Sequence, residues 1–483
     1  MLYPSKREFL KLAKSSKFVP IVFETGINNK SPCQVYEAFL SQKESFLLES
    51  VKGTPRIARY SLIGLDNFLI FKSKDDLVEI EENGKKESYR ANPIKALREI
   101  FKRFPPPKID YLEGFFAGAV GYLGYDLVHF IEELPKTTLD DLKLPDCYLL
   151  FPKSLIIFDH LKKRLKIVVN LFQGERYEEA KKRISEILLE VEIAGPAEIE
   201  RRPSKKRAVS FTSNFTKDAY LNMVKRAKEY IKAGDIYQAN LSQRLSLPLN
   251  GAQPFRLYKL LQEINPSPFS AYLNLDGLTL VSSSPERLVR VRDGLVETRP
   301  IAGTRPRGRE ESEDRELEAE LILSSKERAE HIMLVDLERN DLGRVCEYGS
   351  VVVDEMMTIE RYSHVMHIVS NIKGDISKSK DIFDVILACF PGGTITGVPK
   401  VRCMEIIDEL EPTRRGPYTG SIGYLGFNNL MDLNIIIRTF VIKDGRAHIQ
   451  VGGGIVADSD PEHEYFETLD KAEALIKALE GVV

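Results

Sequence analysis

Acidic side chains gather at two places where helical spacing would put them on one face. In SDPEHEYFETLDKAEALIKAL, Glu464, Glu467 and Lys471 are spaced i, i+3 and i+7, and SSKERAEHIMLVDLERND carries a second pair, Glu327 and Glu330. Residues three or four apart are neighbours on a helix, so each set would share a face. Such charge runs usually mark a solvated face, and a binding site is the alternative explanation.

Two further features could hold an anion. The triplet Gly452–Gly454 of VGGGIVADS could offer consecutive backbone N–H groups as an anion nest does, although glycines at a strand end would explain it equally well. Arg438 interrupts the apolar strand-like run NIIIRTF, where a charge is costly unless a carboxylate of a ligand or of the protein pairs with it. Acids beside such groups favour a hard cation, Mg²⁺ rather than Zn²⁺. The residues alone therefore predict a Mg²⁺-dependent enzyme acting on a small carboxylate.

Strands mixed with helices are predicted to position these groups. SFLLES, RYSLIG and NFLIFKS favour short strands, NPIKALREIFKRF favours an amphipathic helix, and the glycine-rich segment 112–130 favours a buried strand. Residues 191–213 lose apolar periodicity and become rich in proline and charge, which predicts a linker.

The chain beyond the linker has clearer signals for the ends of helices and strands. Thr216 and Gly234 bracket a predicted helix, IYQANLSQRLSLPL favours a strand, and Asp-Gly pairs in the later segments predict hairpins and hence an antiparallel sheet. Ser459 is the predicted N-cap of the helix that carries Glu464 and Glu467.

Composition restricts the class of protein. The 483 residues carry 69 basic and 71 acidic side chains, a net charge of −2, which argues against a nucleic acid or a membrane surface as partner. Five widely spaced cysteines without a metal-ligand pattern predict reduced thiols in the cytoplasm. No apolar signal core or 18-residue apolar run occurs, so we expect a soluble protein.

Nine motifs in sequence order resemble those of the chorismate-utilising enzyme family. They are GDIYQANLS, SSSPERLVR, RPIAGT, KERAEHIMLVDLERNDLGRV, IERYSHVMHIVS, PGGTITGVPKVRCMEII, RRGPYTGSIGY, IIIRTF and VGGGIVADS. The resemblance implies an α+β fold with two large antiparallel sheets packed between helical layers. It divides the chain into an N-terminal region of residues 1–190, the linker 191–213 and a catalytic region of residues 214–483.

The resemblance also implies a site for chorismate, with Mg²⁺ on its ring carboxylate. Glu330 and Glu467 match the metal ligands, and Glu327 and Glu464 match residues that hold the ion through water. The residues that match substrate-binding positions are Thr394, Tyr418, Arg438, Gly452, Gly453, Gly454 and Lys471. The catalytic positions fall on Glu286, the general acid for the departing C4 hydroxyl, on His367, implicated in pyruvate elimination, and on Thr304, Gln238 and Ala302.

Two of these positions bear on what attacks the ring. Gln238 stands where family members that use water carry a lysine base, so ammonia is the expected nucleophile. Ala302 stands where many members that aminate C4 carry a lysine that attacks C2 covalently. The resemblance therefore implies direct amination at C2 and loss of pyruvate, giving anthranilate. Amination at C4, for para-aminobenzoate, is the alternative, which the YTGSIGY and VGGGIVADS variants favour.

Ammonia must come from another protein, because no cysteine lies in a glutaminase-like setting. A glutamine amidotransferase subunit is the implied partner, in a hetero-oligomer. Glu49, Ser50, Pro268, Phe269 and Ser270 match a tryptophan feedback site, but the altered Phe269–Ala271 segment leaves feedback open. A catalytically silent sensor or scaffold on the same fold is a further alternative, disfavoured by the intact set of site residues.

Overall fold

The computed structural model describes residues 2–27, 29–50, 59–195, 210–361 and 365–482. The α-helices in these ranges are α1 Lys6–Leu12, α2 Pro32–Glu37, α3 Pro93–Arg103, α4 Tyr177–Ile193, α5 Lys217–Ala233, α6 Pro254–Ile264, α7 Glu311–Leu323, α8 Ser325–Gly343, α9 Ile382–Cys389, α10 Lys400–Leu410 and α11 Pro461–Glu480. Short 3₁₀ helices cover Tyr125–Phe130 and Gly393–Ile395.

The strands connect into one antiparallel hydrogen-bonded network. They are β1 Leu2–Tyr3, β2 Phe18–Gly26, β3 Ser45–Glu49, β4 Tyr60–Lys74, β5 Leu77–Glu82, β6 Lys85–Arg90, β7 Gly118–Leu123, β8 Cys147–Asp159, β9 Arg164–Phe172, β10 Thr212–Ser213, β11 Gln238–Pro248, β12 Phe269–Leu275, β13 Leu278–Ser284, β14 Arg287–Arg292, β15 Leu295–Thr298, β16 Ile301–Pro306, β17 Val352–Arg361, β18 Val365–Asp375, β19 Gly397–Val398, β20 Ser421–Gly426, β21 Met431–Asn434, β22 Thr439–Lys443 and β23 Arg446–Ile455.

Two large sheets share the long β4–β8 ribbon. One half of the ribbon lies in a first sheet, ordered β1-β2-β9-β8-β4-β3-β12-β13-β22-β23-β11, with β10 and β19 at the far edge. The other half lies in a second sheet, β6-β5-β4-β8-β7-β20-β21-β14-β15-β18, where β16 and β17 also pair with β18. The predicted fold class, α+β with two large antiparallel sheets, is confirmed.

Alternating side chains of the first sheet enter two cores. On β2, Phe18 and Val22 join a core shared with the second sheet, α3 and α9, whereas Val19 and Ile21 join a core under α2, α4, α6 and α11. This alternation follows from the two-residue period of a strand. Helices thus cover the outer face of the first sheet, and the two sheets pack against each other inside.

Several local predictions are corrected by the structure. RYSLIG and NFLIFKS belong to the single strand β4, which bends at a bulge between Asn67 and Leu69, next to Asp66 at φ 56°. Segment 112–130 contributes only the six residues of β7 to a strand and then turns into a 3₁₀ helix. The N-cap of α11 is Asp460, not Ser459, because Asp460 Oδ1 accepts from the amides of Glu462 and His463.

Strands from both sides of the predicted linker pair directly: β3 with β12, and β7 with β20. Helix α4 extends into the linker to Ile193, Thr212 and Ser213 form β10, and residues 196–209 lie outside the described residues. The division into regions 1–190, 191–213 and 214–483 therefore stays a prediction. Among the described residues, no helix is long and apolar enough to span a bilayer.

Candidate active site

Helices α8 and α11 bring their acidic faces together. Ser324 caps α8 by accepting from the Glu327 amide, and Asp460 and Pro461 start α11. Burial raises the pKa of Glu330, Lys326 opposes the rise, and the negative charges of Glu327, Glu464 and Glu467 add to it. Acids of two separate helices thus lie within one another's electrostatic reach.

Basic side chains partly neutralise these acids. Burial alone would raise the pKa of Glu467, but Lys471, 2.7 Å away, outweighs burial and lowers the pKa. Glu464 is buried, which raises its pKa. The Arg305 guanidinium lies 3.5 Å from Glu327. The donor set consists of carboxylate oxygens, which suits a hard divalent cation.

His463 is a neighbour of these acids that the sequence analysis missed. Potential ligand atoms of His463, Glu464 and Glu467 all lie within 4.8 Å of one another. Its spacing of four from Glu467 was the available signal, because i and i+4 side chains meet on a helix.

The glycine triplet lies inside strand β23, which is paired with β11 along one edge. None of the three glycines has a positive φ. A nest needs helical conformations of alternating hand, so the predicted run of consecutive converging N–H groups is wrong. In an extended strand alternate N–H groups point to opposite edges. Strand β22 pairs with β23 only as far as Ile449, so at the triplet β22 leaves the other edge open.

Because the three glycines have no side chains, neighbouring polar groups lie close to the backbone of the triplet. A Cβ on Gly452 would lie 2.8 Å from the Tyr418 hydroxyl and 3.0 Å from Asn240 Oδ1, and a Cβ on Gly454 would collide with the Gln238 amide nitrogen. A Cβ on Gly453 would lie 3.2 Å from Glu464 Oε2. Lys471 Nζ donates to the Gly452 carbonyl at 3.1 Å. The strand therefore borders both the acidic helix and the polar side chains of Tyr418, Asn240 and Gln238.

Arg438 lies just before β22 with φ at 51°, rather than within a strand as predicted. Its carbonyl accepts from the Ser283 amide at 3.1 Å, which fixes the backbone. No carboxylate or hydrogen-bond acceptor among the described residues contacts its guanidinium. Burial lowers the pKa of Arg438, and Tyr418 opposes this. An arginine without a protein partner is a strong candidate for binding an anionic ligand.

Glu286 precedes β14 and is 7% exposed. Its carbonyl accepts from the Ile435 amide at 3.0 Å, and its Oε1 has no hydrogen-bond partner among the described residues. Burial raises the pKa of Glu286 to about 7, although the neighbouring Thr394 hydroxyl opposes the rise. The carboxyl group can therefore hold a proton near neutral pH, as a general acid must.

Strands β16 and β18 position three predicted residues, with Thr304 opposite His367 and Ala302 opposite Ile368. A bulge at Gly303 (φ 62°) separates Ala302 from Thr304. His367 Nδ1 lies 3.1 Å from the Gly303 carbonyl. A carbonyl only accepts, so Nδ1 carries the hydrogen and Nε2 is the basic nitrogen of the neutral ring.

Electrostatics connect His367 to the pocket. Burial lowers its pKa, the hydrogen bond to Gly303 opposes this, and the positive charge of Arg438 lowers the pKa further. The histidine is therefore neutral near pH 7 and able to accept a proton. The bulge also approaches helix α8, because a Cβ on Gly303 would lie 2.8 Å from Glu327 Oε2.

Gln238 and Asn240 lie on one face of β11, opposite the glycine strand. The side-chain oxygens of both residues are buried and have no partner among the described residues. Gln238 was predicted as a site residue, whereas Asn240 was missed. The available signal was the spacing of two from Gln238, which puts both amides on the same side of a strand.

A second cavity of about 280 Å³ lies where the predicted feedback residues meet. Its lining includes all five of them: Glu49, Ser50, Pro268, Phe269 and Ser270. Burial raises the pKa of Glu49 to about 7, and a 2.9 Å hydrogen bond from the Tyr258 hydroxyl opposes the rise. Ser50 Oγ donates to the Pro268 carbonyl at 3.1 Å. The structure thus gathers these residues around one space, separate from the acidic helices.

Residues 44–477 match the family model described as chorismate binding enzyme. The chain is 46% identical over 490 residues to anthranilate synthase component 1 of Acetivibrio thermocellus, covering 99% of both chains. It is 46% identical over 440 residues to aminodeoxychorismate synthase component 1 of Bacillus subtilis, covering 91% of this chain and 92% of that one. The crystal structure of anthranilate synthase component I from Streptococcus pneumoniae superposes with a TM-score of 0.79 at 33% identity, over 94% of this chain and 99% of that one.

Proposed function

The chain belongs to the chorismate binding enzyme family, and we propose that it aminates chorismate with ammonia at C2 and then eliminates pyruvate, giving anthranilate. The observation that carries this choice is Ala302, which is buried on β16 beside the residues that face the pocket. A methyl group cannot form a covalent bond with the ring, so ammonia attacks directly.

The acidic faces of α8 and α11 hold the ion, which is Mg²⁺. Glu330 and Glu467 would hold the ion directly, and Glu327 and Glu464 would hold it through water. This assignment is supported by the carboxylate oxygens that the four acids offer and by the pKa of Glu330, which burial raises first and the charges of Glu327, Glu464 and Glu467 raise further. An ion held there would supply positive charge to the ring carboxylate of chorismate.

The enolpyruvyl carboxylate binds at the other end of the pocket. Arg438, whose guanidinium has no partner among the described residues, supplies the charge, and the Tyr418 hydroxyl and the backbone of Gly452–Gly454 supply hydrogen bonds. Thr394 and Thr304 line the same space. Lys471 pairs with Glu467 and also donates to the Gly452 carbonyl, so it bridges helix α11 and strand β23. Two fixed anion sites define how the ring lies between them.

Two side chains move protons. Glu286, protonated near neutral pH, gives its proton to the departing C4 hydroxyl, and its burial is what keeps that proton bound. His367, neutral with Nε2 basic, takes the ring proton when pyruvate is eliminated. Gln238 does not deprotonate water, which favours ammonia over water as the nucleophile.

Ammonia is supplied by a glutamine amidotransferase subunit that associates with this chain. The family relatives carry the designation component 1, which supports an assembly with a second component. Ammonium salts at high pH replace the subunit in an assay of this chain alone.

The second candidate function is amination at C4, the activity named for the Bacillus subtilis relative at the same 46% identity. The product distinguishes the two functions. Purified protein with chorismate, Mg²⁺ and ammonium should release fluorescent anthranilate and pyruvate in equal amounts. Accumulation of aminodeoxychorismate would establish the second function, and unchanged chorismate would establish the silent alternative. Ala302→Lys is the companion variant, expected to lower the yield of anthranilate.

The cavity around Glu49 binds a free amino acid, tryptophan, as a feedback inhibitor. A half-buried carboxylate that accepts from Tyr258 is suited to an ammonium group, and the 280 Å³ volume accommodates an aromatic side chain.

A further inference from the structure

The Asn240 side chain carries a buried acceptor without a protein donor. Asn240 is 8% exposed, and its Oδ1 has no hydrogen-bond partner among the described residues. A buried polar atom without a partner costs free energy, so such atoms point to a ligand. A carbonyl oxygen accepts only, so the ligand group must be a hydrogen-bond donor.

The position of Asn240 is fixed on every side. Its amide nitrogen Nδ2 donates to the Thr394 carbonyl at 3.3 Å, which sets the orientation of the side chain. Its backbone N–H donates to Thr396 at 2.9 Å, and its carbonyl accepts from the buried Arg415 at 2.6 Å. The free oxygen is thus held in place before any substrate binds.

Thr394 connects Asn240 to Glu286. The Thr394 carbonyl holds the Asn240 amide, and the Thr394 hydroxyl lies beside the Glu286 carboxyl group. Glu286 Oε1 is also buried and has no hydrogen-bond partner in the described part of the chain. Thr394 therefore contacts both the Asn240 side chain, whose oxygen accepts hydrogen bonds, and the Glu286 carboxyl group, which can donate a proton.

This donor and acceptor complement an alcohol, which can accept one hydrogen bond while it donates another. We propose that Asn240 Oδ1 accepts a hydrogen bond from the departing C4 hydroxyl of chorismate while Glu286 protonates the same oxygen. Asn240 is then a catalytic residue that contacts the leaving group. The inference rests on the proposed function, because it requires chorismate in this pocket.

The step balances as follows. The C2–N bond forms, the ring double bonds shift, and the C4–O bond breaks with its electron pair remaining on oxygen. That oxygen takes the Glu286 proton and leaves as water. One proton of the new ammonium group then returns to the Glu286 carboxylate, through solvent or directly. As the hydroxyl becomes water its O–H grows more acidic, so its hydrogen bond to Asn240 strengthens in the transition state.

Ammonia is the competing donor for the same oxygen. Gln238 offers another orphaned oxygen for it, two residues earlier on β11 and next to Gly454. Asn240 Nδ2 is held by the carbonyl of Thr394, the residue whose hydroxyl lies beside Glu286, and Asn240 Oδ1 lies near Gly452, where a Cβ would come within 3.0 Å of it. The geometry therefore favours the hydroxyl as the ligand of Asn240, and kinetics separate the two donors.

The test compares two substrates in the Asn240→Leu variant, which removes the acceptor at nearly constant volume. One substrate is chorismate, with ammonium. The other is aminodeoxyisochorismate, which has already lost the C4 hydroxyl and needs only pyruvate elimination. We expect kcat for chorismate to fall about 10- to 100-fold, the range for a lost hydrogen bond to a developing charge, with elimination from aminodeoxyisochorismate changed less than about twofold.

Controls make each outcome decisive. Ser246→Ala, on the same face of β11 but bonded to His448, should change neither rate. Asn240→Ala, which adds no bulk, repeats the test should the leucine variant not fold.

Equal losses on both substrates would overturn the proposal in favour of a structural role. A raised apparent KM for ammonia with unchanged kcat would overturn it in favour of ammonia binding. An inactive wild type would overturn the proposed function as well, whereas an active wild type with unaffected variants overturns only the role of Asn240.

Discussion

Glu49 and Arg438 stand at opposite ends of one transverse row of the first sheet. Glu49 on β3 lies opposite Ser270 on β12, and Ser270 lies opposite Ser283 on β13. The Ser283 amide then donates to the Arg438 carbonyl at 3.1 Å. Three strand spacings of about 4.8 Å separate the two charged residues. The cavity around Glu49 and the backbone of Arg438 are therefore linked through paired strands and this hydrogen bond.

This row predicts that a ligand at Glu49 affects chorismate binding. Saturating tryptophan should raise the Tm by about 2 °C and raise the KM for chorismate, because it binds beside β12 and shifts the strand that holds Arg438. Glu49→Gln should abolish both effects. Glu113→Gln, at the rim of the same cavity, is the matched control and should retain them. A Tm shift that survives Glu49→Gln would place the ligand elsewhere.

The metal assignment predicts a large loss from either direct ligand. Glu330→Gln and Glu467→Gln each remove a negative oxygen from the ion, so turnover should fall at least about 100-fold and Mn²⁺ affinity, measured by electron paramagnetic resonance, at least about 10-fold. Glu473→Gln lies on the same helix but pairs with Lys477 at the surface, so it should change neither. Normal Mn²⁺ binding by both ligand variants would refute the assignment.

The raised pKa of Glu286 predicts that activity and stability both decline as pH rises. Activity at constant free ammonia should decline as pH rises through about 7, because the protonated carboxyl group is the active form. Glu286→Gln should abolish amination. The pKa of Glu286 is raised in the folded state, so its contribution to stability is complete below the unfolded pKa and is lost as pH rises through the folded pKa.

Unfolding experiments measure that loss. Between about pH 5.5 and about pH 8.5, wild type should lose roughly 2 kcal/mol of unfolding free energy relative to Glu286→Gln, from a rise in pKa from 4.5 to about 7. Urea titrations of both proteins at the two pH values give this difference. A constant difference would show that Glu286 does not titrate in this range.

Gly454→Ala should damage the site more than the fold. Its Cβ would meet the end of the Gln238 side chain, which can move without disturbing the backbone, so we expect about 1 kcal/mol or less in stability but a clear rise in the KM for chorismate. In Gly121→Ala the Cβ would meet the backbone carbonyl of Tyr148, so that variant should unfold at markedly lower denaturant. Similar stabilities for the two variants would contradict this distinction.

Sequence patterns predicted the features with local causes. Helix α3, the Thr216 cap of α5 and the Asp-Gly hairpin turns follow from apolar periodicity, a capping side chain and positive φ at Asp293 and Asp444. The acids of α8 and α11 shared faces as their spacing indicated. A few residues close in sequence determine each of these features.

Features that depend on distant residues were not predictable in the same way. The bend in β4 joins two segments that read as separate strands, and it is fixed by pairing with β8. Arg438 was predicted within a strand, but its backbone adopts φ 51°, so strand β22 begins only at the next residue. Asn240 resembles any polar residue of a strand until the structure places Thr394 and Glu286 beside it.

The pairing of β3 with β12 and of β7 with β20 bears on how the polypeptide tolerates being cut. Fragments ending at residue 195 and starting at residue 210 would each present open strand edges whose complements lie on the other fragment. Co-expressed halves should therefore reassemble and co-purify. Neither half alone should stay soluble as a monomer. This chain is thus suited to split-enzyme complementation.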